Sequence, residues 1–239
     1  MLTASNLHFQ WPSQPSPTLV IESFQLAKGE KLFLYGPSGS GKSTLLGLLA
    51  GIHGLQQGSI TMLGRQLNTL TAAKRDHFRA DHIGTIFQNF NLLPYLNPLE
   101  NVLLGCSFST LRSRKAKATS GSCQAEAQRL LTELGLDAST WTRSVAELSI
   151  GQQQRVAAAR ALIGEPELII ADEPTSALDS DSREAFINLL FSQAKRYDAT
   201  ILFVSHDRSL APLFDNSVSL LALNQAASSE PINNNKEAQ

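Results

Sequence analysis

Between Lys31 and Gly51 the chain reads KLFLYGPSGSGKSTLLGLLAG, and this stretch narrows the accessible folds more than any other. "KLFLYG" is a short apolar run ending in glycine, the pattern of a buried strand feeding a turn. "STLLGLLAG", after Lys42, is apolar on most faces and stops at Gly51, as a buried helix with a glycine stop does. Between the two, Gly36, Pro37, Ser38, Gly39, Ser40, Gly41, Lys42 and Ser43 fit the pattern G-x-x-x-x-G-K-[ST]. Glycine permits backbone angles that side chains forbid, so successive N–H groups can turn inward onto phosphate oxygens. The positive end of the following helix adds to that attraction. Lys42 supplies a mobile charge for the outer phosphates, and Ser43 offers a hydroxyl to Mg²⁺. Strand, glycine turn and helix in this order point to nucleotide binding.

Two further apolar runs, "ELIIAD" (Glu167–Asp172) and "TILFVSHD" (Thr200–Asp207), read as buried strands separated by helical patterns. That alternation predicts an α/β domain with a mostly parallel core sheet. In such sheets ligands gather beyond the carboxyl ends of the strands. Asp172 is therefore expected to hold the Mg²⁺ shell, and Glu173 to face the terminal phosphate and polarise water. His206 ends its strand in the same way and is expected to touch phosphate. Farther back, Ser149 and Gln152 form a capping-box pattern opening a helix that Gly164 and Pro166 stop. The small Ser-x-Gly start leaves no bulky side chain near the helix mouth and makes a second anion site. Two phosphate-binding helix ends in one chain suggest sites shared between two chains.

The remaining residues set limits. At 239 residues the chain suits one large or bipartite domain, and 42% hydrophobic with 17% charged residues suits a folded globular one. A formal net charge of −1 gives no global pull toward nucleic acid or an anionic membrane. Cys106 and Cys123 lack metal-ligand spacing and read as free thiols in a reducing compartment. The N-terminus has no basic-then-apolar signal segment. Apolar stretches such as Leu45–Ile52 fall well short of the roughly 20 residues of a membrane span, so a membrane role is expected to come through a partner. Leu7, Phe9 and Trp11 alternate with Asn6, His8 and Gln10 as in a strand, which Gln14-Pro15-Ser16-Pro17 breaks. Gln124–Leu136 has helical spacing, whereas Arg112–Ser122 reads as a solvated loop or helix end. Residues 225–239 are polar, carry an asparagine run and are expected to be disordered.

Taken in order, these segments resemble the nucleotide-binding subunits of ABC transporters over roughly residues 2 to 223. "GPSGSGKST", ending at Thr44, is similar to the Walker A loop, and Gln88 in "IFQNFNLLP" to the Q-loop glutamine. "LSIGQ" (Leu148–Gln152) resembles the signature, "LIIADE" Walker B, "SALD" (Ser176–Asp179) the D-loop and His206 the switch histidine. Trp11 in "FQWP" stands where the family stacks an aromatic on adenine, with Phe9 as the fallback. Arg79–Val102 is similar to the ATPases of the macrolide-exporter and lipoprotein-releasing group.

The resemblance implies a P-loop NTPase core with a mostly parallel sheet, an N-terminal antiparallel β subdomain and an inserted helical subdomain at about 89–148, in a domain spanning 1–224. It implies a head-to-tail homodimer enclosing two ATP molecules with Mg²⁺. Each ATP would lie between Gly36–Thr44 of one chain and Ser149, Gly151 and Gln152 of the other, with Asp179 nearby. Ser43, Gln88 and Asp172 would hold Mg²⁺, Glu173 would act as general base and His206 would contact the γ-phosphate. Gln88 would also link the site to a separate transmembrane permease. Phe90 and Leu92, in the apolar cluster after it with Leu93 and Tyr95, are expected to couple to that partner or, on the alternative reading, to pack inside the helical subdomain. The implied role is ATP hydrolysis that powers export or mechanotransmission at the cytoplasmic face of the inner (cell) membrane, without nucleic acid. A soluble ATPase of the same superfamily acting on DNA or ribosomes is the alternative. Such proteins usually carry a long coiled-coil insertion or two ATPase halves, and neither is present. One departure is Ile150, which replaces the commoner first glycine of the signature.

Overall fold

The computed structural model describes residues 1–228. The chain begins with strands β1 (Leu2–Phe9), β2 (Leu19–Leu26) and β3 (Lys31–Tyr35), then helix α1 (Lys42–Leu49). Strands β4 (Gln57–Met62) and β5 (Arg65–Gln66), helix α2 (Ala72–His82) and strand β6 (Ile83–Ile86) follow. Next come helices α3 (Pro98–Ser107), α4 (Thr110–Ser120), α5 (Cys123–Glu133) and α6 (Ile150–Leu162). Strand β7 (Leu168–Asp172), helix α7 (Ser180–Lys195), strands β8 (Thr200–Ser205) and β9 (Asn216–Ser219) and the short α8 (Leu220–Leu223) complete the order.

The expected core sheet is present, with strand order β6-β7-β8-β3-β9 and every pair parallel. Strands covered on both faces read as continuous apolar runs, which is why "KLFLY", "LIIAD" and "TILFVS" stand out. Successive side chains still point to opposite faces. Phe33, Ile169, Ile201 and Phe203 enter one core with α3, α5, α6 and α7. Leu32, Leu34, Ile170, Leu202 and Val204 enter a second core with α1 and the antiparallel sheet β2-β1-β4-β5. The sheet is thus a wall shared by two cores.

The N-terminal strand is longer and earlier than its alternation suggests. It starts at Leu2 and ends at Phe9, Asn6 takes φ 51, and the register against β4 shifts between Ser5 and His8. Trp11 therefore lies beyond the strand rather than in it. The helix expected over Gln124–Leu136 is α5, capped by Ser122 and ending at Glu133.

Arg112–Ser122 corrects the reading of a solvated loop or helix end. It belongs to a full helix, α4, capped by Ser109 and stopped at Gly121. No apolar stripe marks it, because its main anchor is charged. Arg112 is buried, and its Nε donates to the carbonyl of Ile163 at 2.7 Å. Its Nη2 donates to the carbonyls of Arg160 and Ala161 at 3.1 and 2.8 Å. A cation thereby takes up carbonyls that the end of α6 leaves without helical partners. Burial pushes the Arg112 guanidinium down to about 10, so it stays charged at neutral pH. Lys115 continues the anchor by bonding the Glu165 carbonyl and the Glu167 carboxylate. Burial raises the Glu167 carboxyl, but hydrogen bonds from His82 and Lys115 more than reverse this and hold it at about 2.

Of the two places open to Phe90 it takes the inner one: it is 8% exposed and packs in the helical core, with Leu92 partly open. Cys106 and Cys123 are free thiols, and burial pushes the Cys106 thiol up to about 12. Among the described residues no helix is long and apolar enough to cross a membrane. Of the polar tail, Gln225–Ser228 form a 3-10 turn, and residues 229–239 lie outside the described residues.

Substituting Arg112→Met should remove the partner of three carbonyls, two of them in buried hydrogen bonds. At about 1 kcal/mol for each lost bond the fold should lose about 3 kcal/mol. For a chain of this size the thermal midpoint should fall by roughly 6–12 °C, measured by circular dichroism or calorimetry.

Candidate active site

Strand β3 ends at Tyr35, and the glycine loop leads directly into α1. Gly41 has φ 96, and a Cβ there would come within 2.9 Å of the Leu19 side chain, so both backbone and packing demand glycine. Gly39 has φ 78, and a Cβ there would meet nothing within 4 Å. The helix opens at Gly41 without a side-chain cap, leaving its first N–H groups for another acceptor. Ser40 Oγ is buried in this loop with no hydrogen-bond partner. Lys42 is 7% exposed, and its Nζ donates to the carbonyls of Gly36 and Pro37 at 2.9 and 3.0 Å. It also lies 3.6 Å from Glu173 Oε1.

The carboxylates come from the end of β7. Ser43 Oγ donates to Asp172 Oδ2 at 3.1 Å. Burial raises the Asp172 carboxyl above the ordinary range; the Ser43 hydroxyl opposes this and the neighbouring Glu173 charge reinforces it. Glu173 takes φ 46, a left-handed conformation costing a non-glycine residue about 1–2 kcal/mol. Two contacts hold that turn. The Glu173 N–H donates to the Val204 carbonyl at 2.9 Å, and Gln154 Nε2 donates to the Pro174 carbonyl at 2.9 Å. The Glu173 carboxylate then spans Lys42 on one side and His206 on the other, with Nδ1 of the histidine 3.2 Å from Oε2.

An open pocket of about 340 Å³ joins these groups, lined by Ser38, Lys42, Gln88, Asp172 and Glu173, with Trp11 at one side. The Trp11 indole N–H donates to Thr44 Oγ1 at 3.3 Å, and its ring meets Phe9 and His53 edge-on at 5.0 Å each. Phe9 is buried, which rules it out as the fallback aromatic face. The structure thus gathers the Gly36–Thr44 segment, Gln88, Asp172, Glu173 and His206. Ser149, Gly151, Gln152 and Asp179 do not line this pocket. Ser149 and Gln152 form the expected capping box, with reciprocal bonds of 3.3 and 2.9 Å. A Cβ at Gly151 would meet nothing within 4 Å, and Ile150 is 53% exposed. Asp179 caps α7, and bonds from the Ser182 N–H and hydroxyl hold its carboxyl below the usual range.

Two residues that sequence reading missed are Gln154 and Arg160. Gln154 is one of three consecutive glutamines and is 1% exposed. Its helical phase with Ala157, Ala158 and Ala161 was the available signal. Arg160 donates to the carbonyls of Phe90 and Asn91. Nothing local in the sequence marks it.

A glycine loop between a buried parallel strand and an uncapped helix, facing two carboxylates at the end of β7, defines a P-loop nucleotide-binding domain. A family model described as ABC transporter matches residues 21–176, and the chain belongs to that family. Over 194 residues it is 40% identical to the ABC transporter ATP-binding protein YbbA of Escherichia coli K12, covering 81% of this chain and 82% of YbbA. It is 38% identical over 222 residues to the lipoprotein-releasing system ATP-binding protein LolD of Hydrogenovibrio crunogenus, covering 92% and 93%. It is 34% identical to the macrolide export ATP-binding/permease protein MacB of Pasteurella multocida, covering 92% of this chain but 33% of MacB. The solved dimeric structure of the ATP-binding cassette MJ0796, in a post-hydrolysis state with ADP and Pi, matches with TM-score 0.81 and 31% identity over 95% of each chain. The chain is an ATP-binding, ATP-hydrolysing subunit of the ABC transporter type, as its motifs imply. These relatives give the DNA- or ribosome-acting alternative no support.

The raised Asp172 carboxyl has a stability consequence. The fold favours the protonated form, so this group stabilises below its unfolded pKa and loses that contribution as pH rises through the folded value. Asp172→Asn should therefore melt at a higher temperature than the parent at pH 7.5. The margin should narrow as pH is lowered into the carboxylate range, followed by thermal melts across pH.

Proposed function

We propose that the chain drives a separate transmembrane permease by hydrolysing ATP at two sites shared between head-to-tail copies. The observation that carries this reading is the split of the phosphate-binding groups. The Lys42 pocket holds the loop and both carboxylates, with His206 against Glu173, while Ser149 and the open face of Gly151 at the start of α6 lie outside it on the same chain. The dimeric MJ0796 cassette supports pairing of copies. LolD is by name an ATP-binding protein and aligns over 93% of its length, which supports a permease on another chain. Among the described residues no helix could span a membrane, in keeping with peripheral attachment at the cytoplasmic face through the permease. The net charge of −1 favours no nucleic acid partner. The ATP-binding domain is taken as 1–224, with its helical subdomain at about 89–148.

The residues present fit the nucleotide. The unpartnered Ser40 hydroxyl, the uncapped start of α1 and the open face of Gly39 suit a run of phosphate oxygens. Lys42 would exchange the Gly36 and Pro37 carbonyls for the outer phosphates, and Trp11 would stack on adenine. Ser43, Asp172 and Gln88 offer the oxygen donors that Mg²⁺ prefers. Bound there, Mg²⁺ would neutralise charge on the phosphate oxygens. Glu173 would orient a water and accept its proton at the carboxylate as the water oxygen bonds to the terminal phosphorus and the bond from that phosphorus to the bridging oxygen breaks, releasing ADP and phosphate. His206, within hydrogen-bond reach of Glu173, would hold that carboxylate and the γ-phosphate in line. Ser149, Gly151, Gln152 and Asp179 of the second copy would close the far side and exclude water.

Glu173→Gln should lower steady-state phosphate release by at least about 100-fold while ATP affinity stays within about threefold, since the amide keeps the shape but takes no proton. Turnover near the parent rate would remove Glu173 from its role. Sharing is tested by mixing a Lys42→Ala chain with a Ser149→Arg chain, both carrying Glu173→Gln. Each homodimer has the same defect at both sites and should occlude no ATP. The mixed dimer should regain one intact site and retain about one nucleotide per dimer, counted by filter binding. Mixed dimers that form yet retain no more than the parents would mean that each chain completes its own site.

A further inference from the structure

Two residues after Gln88 the backbone turns left-handed at a cost. Phe90 and Asn91 are consecutive non-glycine residues with φ 59 and 48. Left-handed residues of this kind persist only where the surroundings over-determine them. Arg160, in the last turn of α6, supplies that constraint. Its Nη1 donates to the Asn91 carbonyl at 2.7 Å and its Nη2 to the Phe90 carbonyl at 2.6 Å. A planar fork suits two neighbouring oxygens in a way a lysine ammonium does not. The Phe90 ring is buried beside it, so the loop is fixed from two directions. Arg160 is fixed in turn, because its own carbonyl accepts from buried Arg112. The same helix begins at the Ser149 mouth and grips the Pro174 carbonyl, next to Glu173, through Gln154.

We infer that Arg160 is a positioning residue for hydrolysis, clamping the Phe90–Asn91 turn so that Gln88 keeps its place in the pocket and moves with α6. The inference rests on the proposed reading of Gln88 as a site residue. Burial, which lowers the Arg160 pKa, accords with a cation desolvated to serve those carbonyls.

The test is a cycle on the full chain with Mg²⁺ and ATP, read by single-turnover phosphate release, ATP affinity and thermal midpoint. Arg160→Met should slow hydrolysis about 10-fold with ATP affinity changed less than about twofold, and Arg160→Lys should fall between it and the parent. In a Gln88→Ala background Arg160→Met should change the rate less than about twofold, since the residue it positions is gone. Adding Asn91→Gly to Arg160→Met should recover rate, because glycine accepts positive φ without a clamp. A full further 10-fold loss in the Gln88→Ala background would overturn the inference, as would equal losses of affinity and rate that follow the thermal midpoint. If Arg160→Met fails to fold, Arg160→Lys runs through the same cycle and is judged by the same non-multiplicativity. Gln88→Ala hydrolysing at the parent rate would overturn the reading of Gln88 and this inference together, whereas multiplicative losses overturn the inference alone.

Discussion

Helix α6 has to satisfy both of its ends, and the arrangement of the site depends on how it does so. At its start the Ser149–Gln152 box satisfies the N–H groups of both residues, and the face of Gly151 beside it is open. At its finish the last carbonyls have no helical partners, and a buried guanidinium from α4 takes those of Arg160, Ala161 and Ile163. Between the ends, Gln154 holds the turn after Glu173. Its position therefore fixes the backbone that presents the carboxylate. Loss of the α4 anchor would disturb geometry far from Arg112 itself.

The pocket is built against its own stability. Burial raises the Asp172 carboxyl above its ordinary range, and Glu173 sits in a left-handed turn beside it. Lys42 answers both by lying within reach of Glu173 while bonding loop carbonyls. These groups are concentrated charge in a low-dielectric setting, where each interaction counts for more than it would in water. Such sites trade stability for a field already oriented toward the phosphates.

How much of this was legible in sequence follows from where each constraint acts. The loop at Gly36–Ser43 and the strands at β3, β7 and β8 announce themselves, because glycine angles and two-sided burial are local demands on residue type. The Ser149–Gln152 box was legible for the same reason. Helix α4 was not, since Arg112 answers carbonyls some fifty positions later in the chain and gives no periodic apolar stripe. Phe90 looked like a surface anchor in an apolar cluster, yet its burial is decided by helices packed around it. Gln154 was marked only by its phase with the buried alanines of α6, and Arg160 by nothing local, since the carbonyls it holds lie some seventy positions earlier in the chain. The pairing of Lys42, Glu173 and His206 could be expected from strand ends, but their spacing is set by tertiary turns.

The shared wall between the two cores bears on how the molecule comes apart. Neighbouring residues of one strand, such as Leu202 and Phe203, serve opposite cores. Dissolving either core would bare one whole face of the central sheet to water while its backbone ladder remained formed. Neither half can melt as an independent unit, so the antiparallel sheet and the helical body are bound into one cooperative transition despite having almost no side chains in common. The halves stand or unfold together.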